Sequence, residues 1–176
     1  MSDPLTHPGE GFHPHLAGAP DHPAAGSPRT RLHHVRAGRL DGDTAQSGGM
    51  RRFAAISGST TGSEKLWMGQ THVAPATASS DHHHGASETA IHVVSGHPEF
   101  VFLEPADDGG TREVRLRTSP GDYVFVPPYV PHREENPDPA EEAVVVIARS
   151  TQEAIVVNLP GLHALAGTGD PDPGSR

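Results

Sequence analysis

From residue 65 onward the chain carries short runs of apolar residues separated by turn-forming ones. Lys65 to Val73, Thr89 to Val94, Glu99 to Leu103, Asp122 to Val126, Ala143 to Ala148 and Ala154 to Leu159 are rich in Val, Ile and Phe and bounded by Gly, Pro, Asp and Ser. Arg112 to Thr118 alternates charged and apolar residues, as a strand with one wet face does. Glu-Pro-Ala-Asp-Asp-Gly-Gly, ahead of it, is a hairpin loop. Short β-rich runs at this spacing predict an all-β sandwich or barrel. No segment predicts a helix longer than two turns, and 161–167 predicts one turn. Gly-Ser-Thr-Thr-Gly at 58–62 has the composition of a phosphate loop, but no Gly-Lys-Ser/Thr follows, so it is read as a plain loop.

Residues 1–30 break the pattern. They are rich in Pro, Gly, His and Ala, with Leu5, Phe12 and Leu16 as their large apolar residues. Such a segment buries too little surface to offset its chain entropy, so a disordered extension is expected. Residues 31–167 are expected to form one domain, and 168–176 a second tail. With 176 residues and a formal charge of -9, the chain suits a single domain and has no basic excess for binding nucleic acid. No basic-apolar leader and no apolar run near 18 residues is present. A soluble cytoplasmic protein that neither crosses nor lies on a membrane is therefore expected.

Two counts shift attention to chemistry: no cysteine and 14 histidines. Without thiolate, a transition-metal site must use imidazole and carboxylate. Four histidines fall in the expected tail. Among the rest, His82 and His84 point to the same side of an extended strand, with His83 facing away. His132 stands apart, after the proline-rich turn of Gly121 to Asn136, GDYVFVPPYVPHREEN.

These two segments resemble the paired motifs of the cupin superfamily of small β-barrels. Gly121, Pro127, His132 and Asn136 match the second motif, with Tyr129 where the family has an inner glycine. His82, His84, Glu88 and Gly96 match the first, with Ala76 in place of its leading glycine. Several further runs, Lys65-Leu66-Trp67-Met68-Gly69 among them, look like those of the RmlC-like group of small bacterial single-domain cupins. The resemblance covers about residues 65–150. It implies a jelly-roll barrel (a double-stranded β-helix) and a divalent transition metal, Fe, Mn or Zn, held by His82, His84, Glu88 and His132.

The fourth ligand is the least regular position. Counted forward from His84, Glu88 fits; counted back from Gly96, Thr89 falls there. In a period-2 strand that one-residue slip decides which side chains enter the barrel. His92, in mid-strand, and Arg133, beside His132, are candidate catalytic groups. Glu134 shares the side of His132 if the strand runs straight. The resemblance implies a metal-dependent enzyme acting on a small organic substrate, with dioxygenase-like or other oxidoreductase chemistry. The alternatives are a zinc cupin performing non-redox cyclisation or isomerisation, and a non-catalytic small-molecule-binding cupin. Cupins of this size commonly pair as homodimers, and region 31–60 is expected to supply the arm.

Overall fold

The computed structural model describes residues 32–165, so both expected tails lie outside the described residues. Among the described residues, eleven strands pair antiparallel throughout: β1 (Met50–Ile56), β2 (Trp67–Val73), β3 (Thr77–Ala78), β4 (His82–His83), β5 (Thr89–Ser95), β6 (Glu99–Pro105), β7 (Thr111–Arg117), β8 (Tyr123–Val126), β9 (His132–Asn136), β10 (Ala143–Arg149) and β11 (Val157–Asn158). One sheet runs β1-β2-β10-β5-β8 and the other β11-β4-β9-β6-β7, with β3 beside β9. The described helical pieces are a 3-10 turn at Ala37–Arg39 and a single α-turn at Gly58–Thr61. The serine-threonine loop becomes that α-turn because Ser57 Oγ accepts from the Thr60 amide and Gly62, at φ 70°, closes it. The turn expected over 161–167 is absent through Leu165.

The central strands alternate as half-buried strands should. On β2, Trp67, Gly69, Thr71 and Val73 face inward; on β10, Ala143, Val145, Ile147 and Arg149 do. Ile91 and Val93 of β5 join Phe100, Val126, Val145 and Ile147 in the main core. Met50, Val73 and Ala143 form a smaller cluster. β1 has no counterpart among the expected strands. Its inward residues are Met50, Arg52 and Ala54, and a central arginine hides the apolar period. Conversely, Ala154 to Leu159 keeps only two residues in a strand.

Motif residues hold the site's strands in place. Asn136 Nδ2 donates to the carbonyls of Val73, Ala74 and Glu141, while Oδ1 accepts from the Asp138 amide, tying the end of β9 to β2 and to the β9–β10 loop. Gly96 sits at φ 74°, where a Cβ would lie 2.7 Å from the Ala143 Cα, so neither conformation nor space admits a side chain. The non-glycine residues with positive φ among those described are Ala76 (49°) and Tyr129 (62°). Both stand where the motif pattern has glycine. The backbone thus keeps the left-handed turn even where the residue that eases it is gone.

Candidate metal centre

The pairing of β4 with β9 occurs at His82 opposite His132. Directly opposed residues of an antiparallel pair carry their side chains on one face. Each strand then adds the residue two positions on: His84 after His82, and Glu134 after His132. The four side chains are all at most 3 % exposed. One candidate donor atom from each lies within 4.8 Å of every other. The imidazole centroids are 4.5 to 5.2 Å apart.

The hydrogen bonds fix the tautomers. His82 Nδ1 lies 2.8 Å from the Ser80 carbonyl, and His132 Nδ1 lies 3.0 Å from the Val130 carbonyl. A carbonyl only accepts, so both Nδ1 atoms carry the proton and both Nε2 atoms keep a lone pair. Those Nε2 atoms are buried and unpartnered, as is Glu134 Oε1. His84 Nε2 accepts from Arg149 Nη2 at 3.0 Å, because a guanidinium only donates. His84 Nδ1 therefore donates to Thr89 Oγ1 at 2.8 Å. Outer partners that lock ring orientation and tautomer in this way are what metal-ligating histidines use.

Burial holds the imidazoles neutral. It lowers the pKa of all three. For His132, burial and the neighbouring His82 bring it down to about 4. For His84, burial and the Arg149 charge depress it further. At neutral pH the lone pairs are available with no proton to displace. Three neutral nitrogens and one carboxylate oxygen suit a divalent transition metal. Loading it on His84 requires Arg149 Nη2 to release Nε2, since one lone pair cannot serve both.

The structure brings His82, His84 and His132 together and leaves three other candidates outside. Glu88 is exposed, and Thr89 takes the inward position. The register follows from burial: with Thr89 inside, Ile91 and Val93 are inside too, whereas the slipped register would expose both. Glu134 supplies the carboxylate from β9 instead. Its signal in the sequence was the i, i+2 spacing from His132. His92, expected as a catalytic group, lies on the outer face of β5, stacked on Tyr123 at 4.5 Å. Arg133, the other, also points outward, between the buried His132 and Glu134, and is paired with Asp81 and Glu135. Arg52 and Arg149 were not anticipated inside at all.

Beside His132 a cavity of about 200 Å³ opens between β8 and the β6–β7 edge. Phe100, Phe102, Val124, Val126 and Val130 are among its apolar walls, and His132 is its polar lining residue. Among the described residues, no helix is long and apolar enough to cross a membrane.

Residues 69–148 match the family described as Cupin domain. No curated protein matches the chain. Among solved structures, the fold is similar to the polyketide cyclase RemF of Streptomyces resistomycificus, at 22% identity and TM-score 0.50 over 73% of this chain and 84% of that one. An oxalate oxidase gives 18% identity and TM-score 0.59 over 78% and 67%. Oxalate decarboxylase of Bacillus subtilis gives 23% and 0.52 over 66% and 29%, so this chain spans under a third of that protein. At such identities the likeness is one of fold. Residues 69–148 are thus a cupin domain, with two antiparallel sheets and the histidines of both motifs brought together in one barrel.

Proposed function

We propose that this chain is a metal-dependent enzyme acting on a small organic molecule, with Nε2 of His82, His84 and His132 and a carboxylate oxygen of Glu134 as the ligands. The observation that carries it is the set of buried, unpartnered atoms, His82 Nε2, His132 Nε2 and Glu134 Oε1, in one cluster of donor groups. Leaving several buried acceptors unsatisfied costs about 1–3 kcal/mol each, which an ion offsets. Bound there, a divalent metal supplies a Lewis acid with an open position for substrate or dioxygen. The Ser80 and Val130 carbonyls and the Thr89 hydroxyl hold the three rings in register for it. The apolar cavity at His132 receives the organic body and keeps water from it.

The first reading is oxidoreductase chemistry of the dioxygenase type. It is supported by the donor set, which suits iron and manganese, and by the fold's likeness to an oxalate oxidase and to an oxalate decarboxylase with Mn(II) centres. A second reading, non-redox cyclisation or isomerisation on zinc, is favoured by one observation. Arg149 touches His84, and Arg52 is buried in the same interior. Two fixed cations oppose any rise in the charge of the metal and favour a developing enolate. Elemental analysis after anaerobic purification, with oxygen uptake measured across a substrate panel, separates them. Iron or manganese with oxygen consumption supports the first. Zinc with turnover but no oxygen consumption supports the second. Full turnover in the metal-free protein would exclude both.

A further inference from the structure

Within the barrel lies charge that the chain itself does not balance. Among the described residues, the buried ionisable side chains other than imidazoles are Arg52, Arg149 and Glu134. The two guanidinium groups sit near enough to Glu134 to feel its charge, and Arg149 also feels Arg52. A guanidinium keeps its proton in a protein, so both side chains are cationic at neutral pH. Two cations face one carboxylate, and a divalent metal in the adjoining site widens the imbalance. Water satisfies hydrogen bonds but not net charge, and an uncompensated buried charge is strongly unfavourable.

The unused donors are in the same interior. Arg149 Nη1 donates to the Ile155 carbonyl and Nη2 to His84, while its Nε is buried and unpartnered. Arg52 spends Nη1 on the Ala45 carbonyl and Nη2 on Ser47 Oγ, and its Nε is likewise unpartnered. Trp67 Nε1 and Thr71 Oγ1 are also buried without partners. The sheet places these groups in two inward rows that are separated by one intervening row. Arg149 is directly opposite Trp67 across β10 and β2, and Arg52 is opposite Thr71 across β1 and β2. Gly69 lies between the rows, where a Cβ would come 2.7 Å from the Trp67 indole.

We propose that the substrate is a small carboxylic acid whose carboxylate is held by Arg149, with Arg52 reinforcing the charge, and whose apolar body occupies the cavity at His132. The location rests on the metal-dependent reading, because a metal on His84 frees Arg149 Nη2. The charge imbalance does not depend on it. The freed Nη2 and the idle Nε then present the planar two-donor edge that a carboxylate accepts. The cavity limits the rest of the molecule. At about 200 Å³ it is below the range of about 300–1,000 Å³ typical of drug-sized ligands, so it takes a single ring or a short branched chain.

Benzoate and its neutral isostere benzamide test this by titration calorimetry on the full chain, metal-free and metal-loaded. Benzoate is expected to bind about tenfold or more tightly than benzamide. Arg149→Met is expected to abolish that preference, and Arg149→Lys to retain part of it. Equal affinity for the two probes, no binding of either, or a preference surviving in both Arg149→Met and Arg52→Met would overturn the proposal. Should those variants not fold, the side-chain N–H resonances of Arg149 and Trp67 in the wild type decide it. Shifts with benzoate but not benzamide support the site, and no shift refutes it. Metal stoichiometry of the same samples keeps the two readings apart. A metal-loaded chain without the preference fails here alone, whereas a chain that takes up no metal yet keeps the preference fails only the metal reading.

Discussion

Acid should weaken the metal-free protein through its buried imidazoles before its exposed carboxylates protonate. His132 has an ordinary value of 6.5 in the unfolded chain and is held at about 4 in the fold, chiefly by burial and then by His82. Between those values the unfolded chain binds a proton that the folded one refuses. Stability is therefore fully present above pH 6.5 and falls as pH drops toward 4. At about 1.36 kcal/mol per pH unit, His132 alone accounts for about 3 kcal/mol, a large part of the stability of about 5–15 kcal/mol usual for a domain. His82 and His84 shift in the same direction and add to it. Urea unfolding at several pH values from 7.5 to 4, with chelator present, reads the slope. His132→Gln has no proton to gain, so its slope should be shallower by about that amount. Parallel pH profiles for the wild type and His132→Gln would refute the burial argument.

Thr89→Val removes the acceptor that fixes the tautomer of His84 while keeping its shape. Metal affinity should fall about 10–100-fold with the fold intact, as measured by competition with a chelator. Tyr129→Gly and Ala76→Gly each relieve a left-handed backbone on an L-residue. A strain of about 1–2 kcal/mol, less the greater entropy glycine loses on folding, leaves a gain of about 0.5–1 kcal/mol per site in urea unfolding.

Strand periodicity was legible where both faces obey it. β2, β5 and β10 were visible as Lys65 to Val73, Thr89 to Val94 and Ala143 to Ala148 because their inward positions are mostly apolar. The same logic concealed β1, since Arg52 occupies an inward place that hydropathy assigns to the surface. His82 and His84 could be singled out by strand spacing, and His132 by its place after the proline-rich turn in the second motif. The carboxylate could not be settled by counting. Glu88 and Thr89 differ by one residue, and it is the burial of Ile91 and Val93 that turns Thr89 inward. Glu134 then enters from a strand whose inward residues, His132, Glu134 and Asn136, are all polar. Arg149 illustrates the limit most clearly. It ends an apolar strand, where sequence alone reads a charged residue as leaving the core, yet it touches His84 and faces Trp67 at 5.7 Å.

The identity of the carboxylate ligand separates the structure from the motif count. Metal content per chain should be determined by elemental analysis for the wild type, Glu134→Ala and Glu88→Ala, loaded and desalted identically. About one divalent ion per wild-type chain is expected, retained in Glu88→Ala and strongly depleted in Glu134→Ala. Depletion in Glu88→Ala with retention in Glu134→Ala, or a wild-type chain that holds no ion, would contradict the site described.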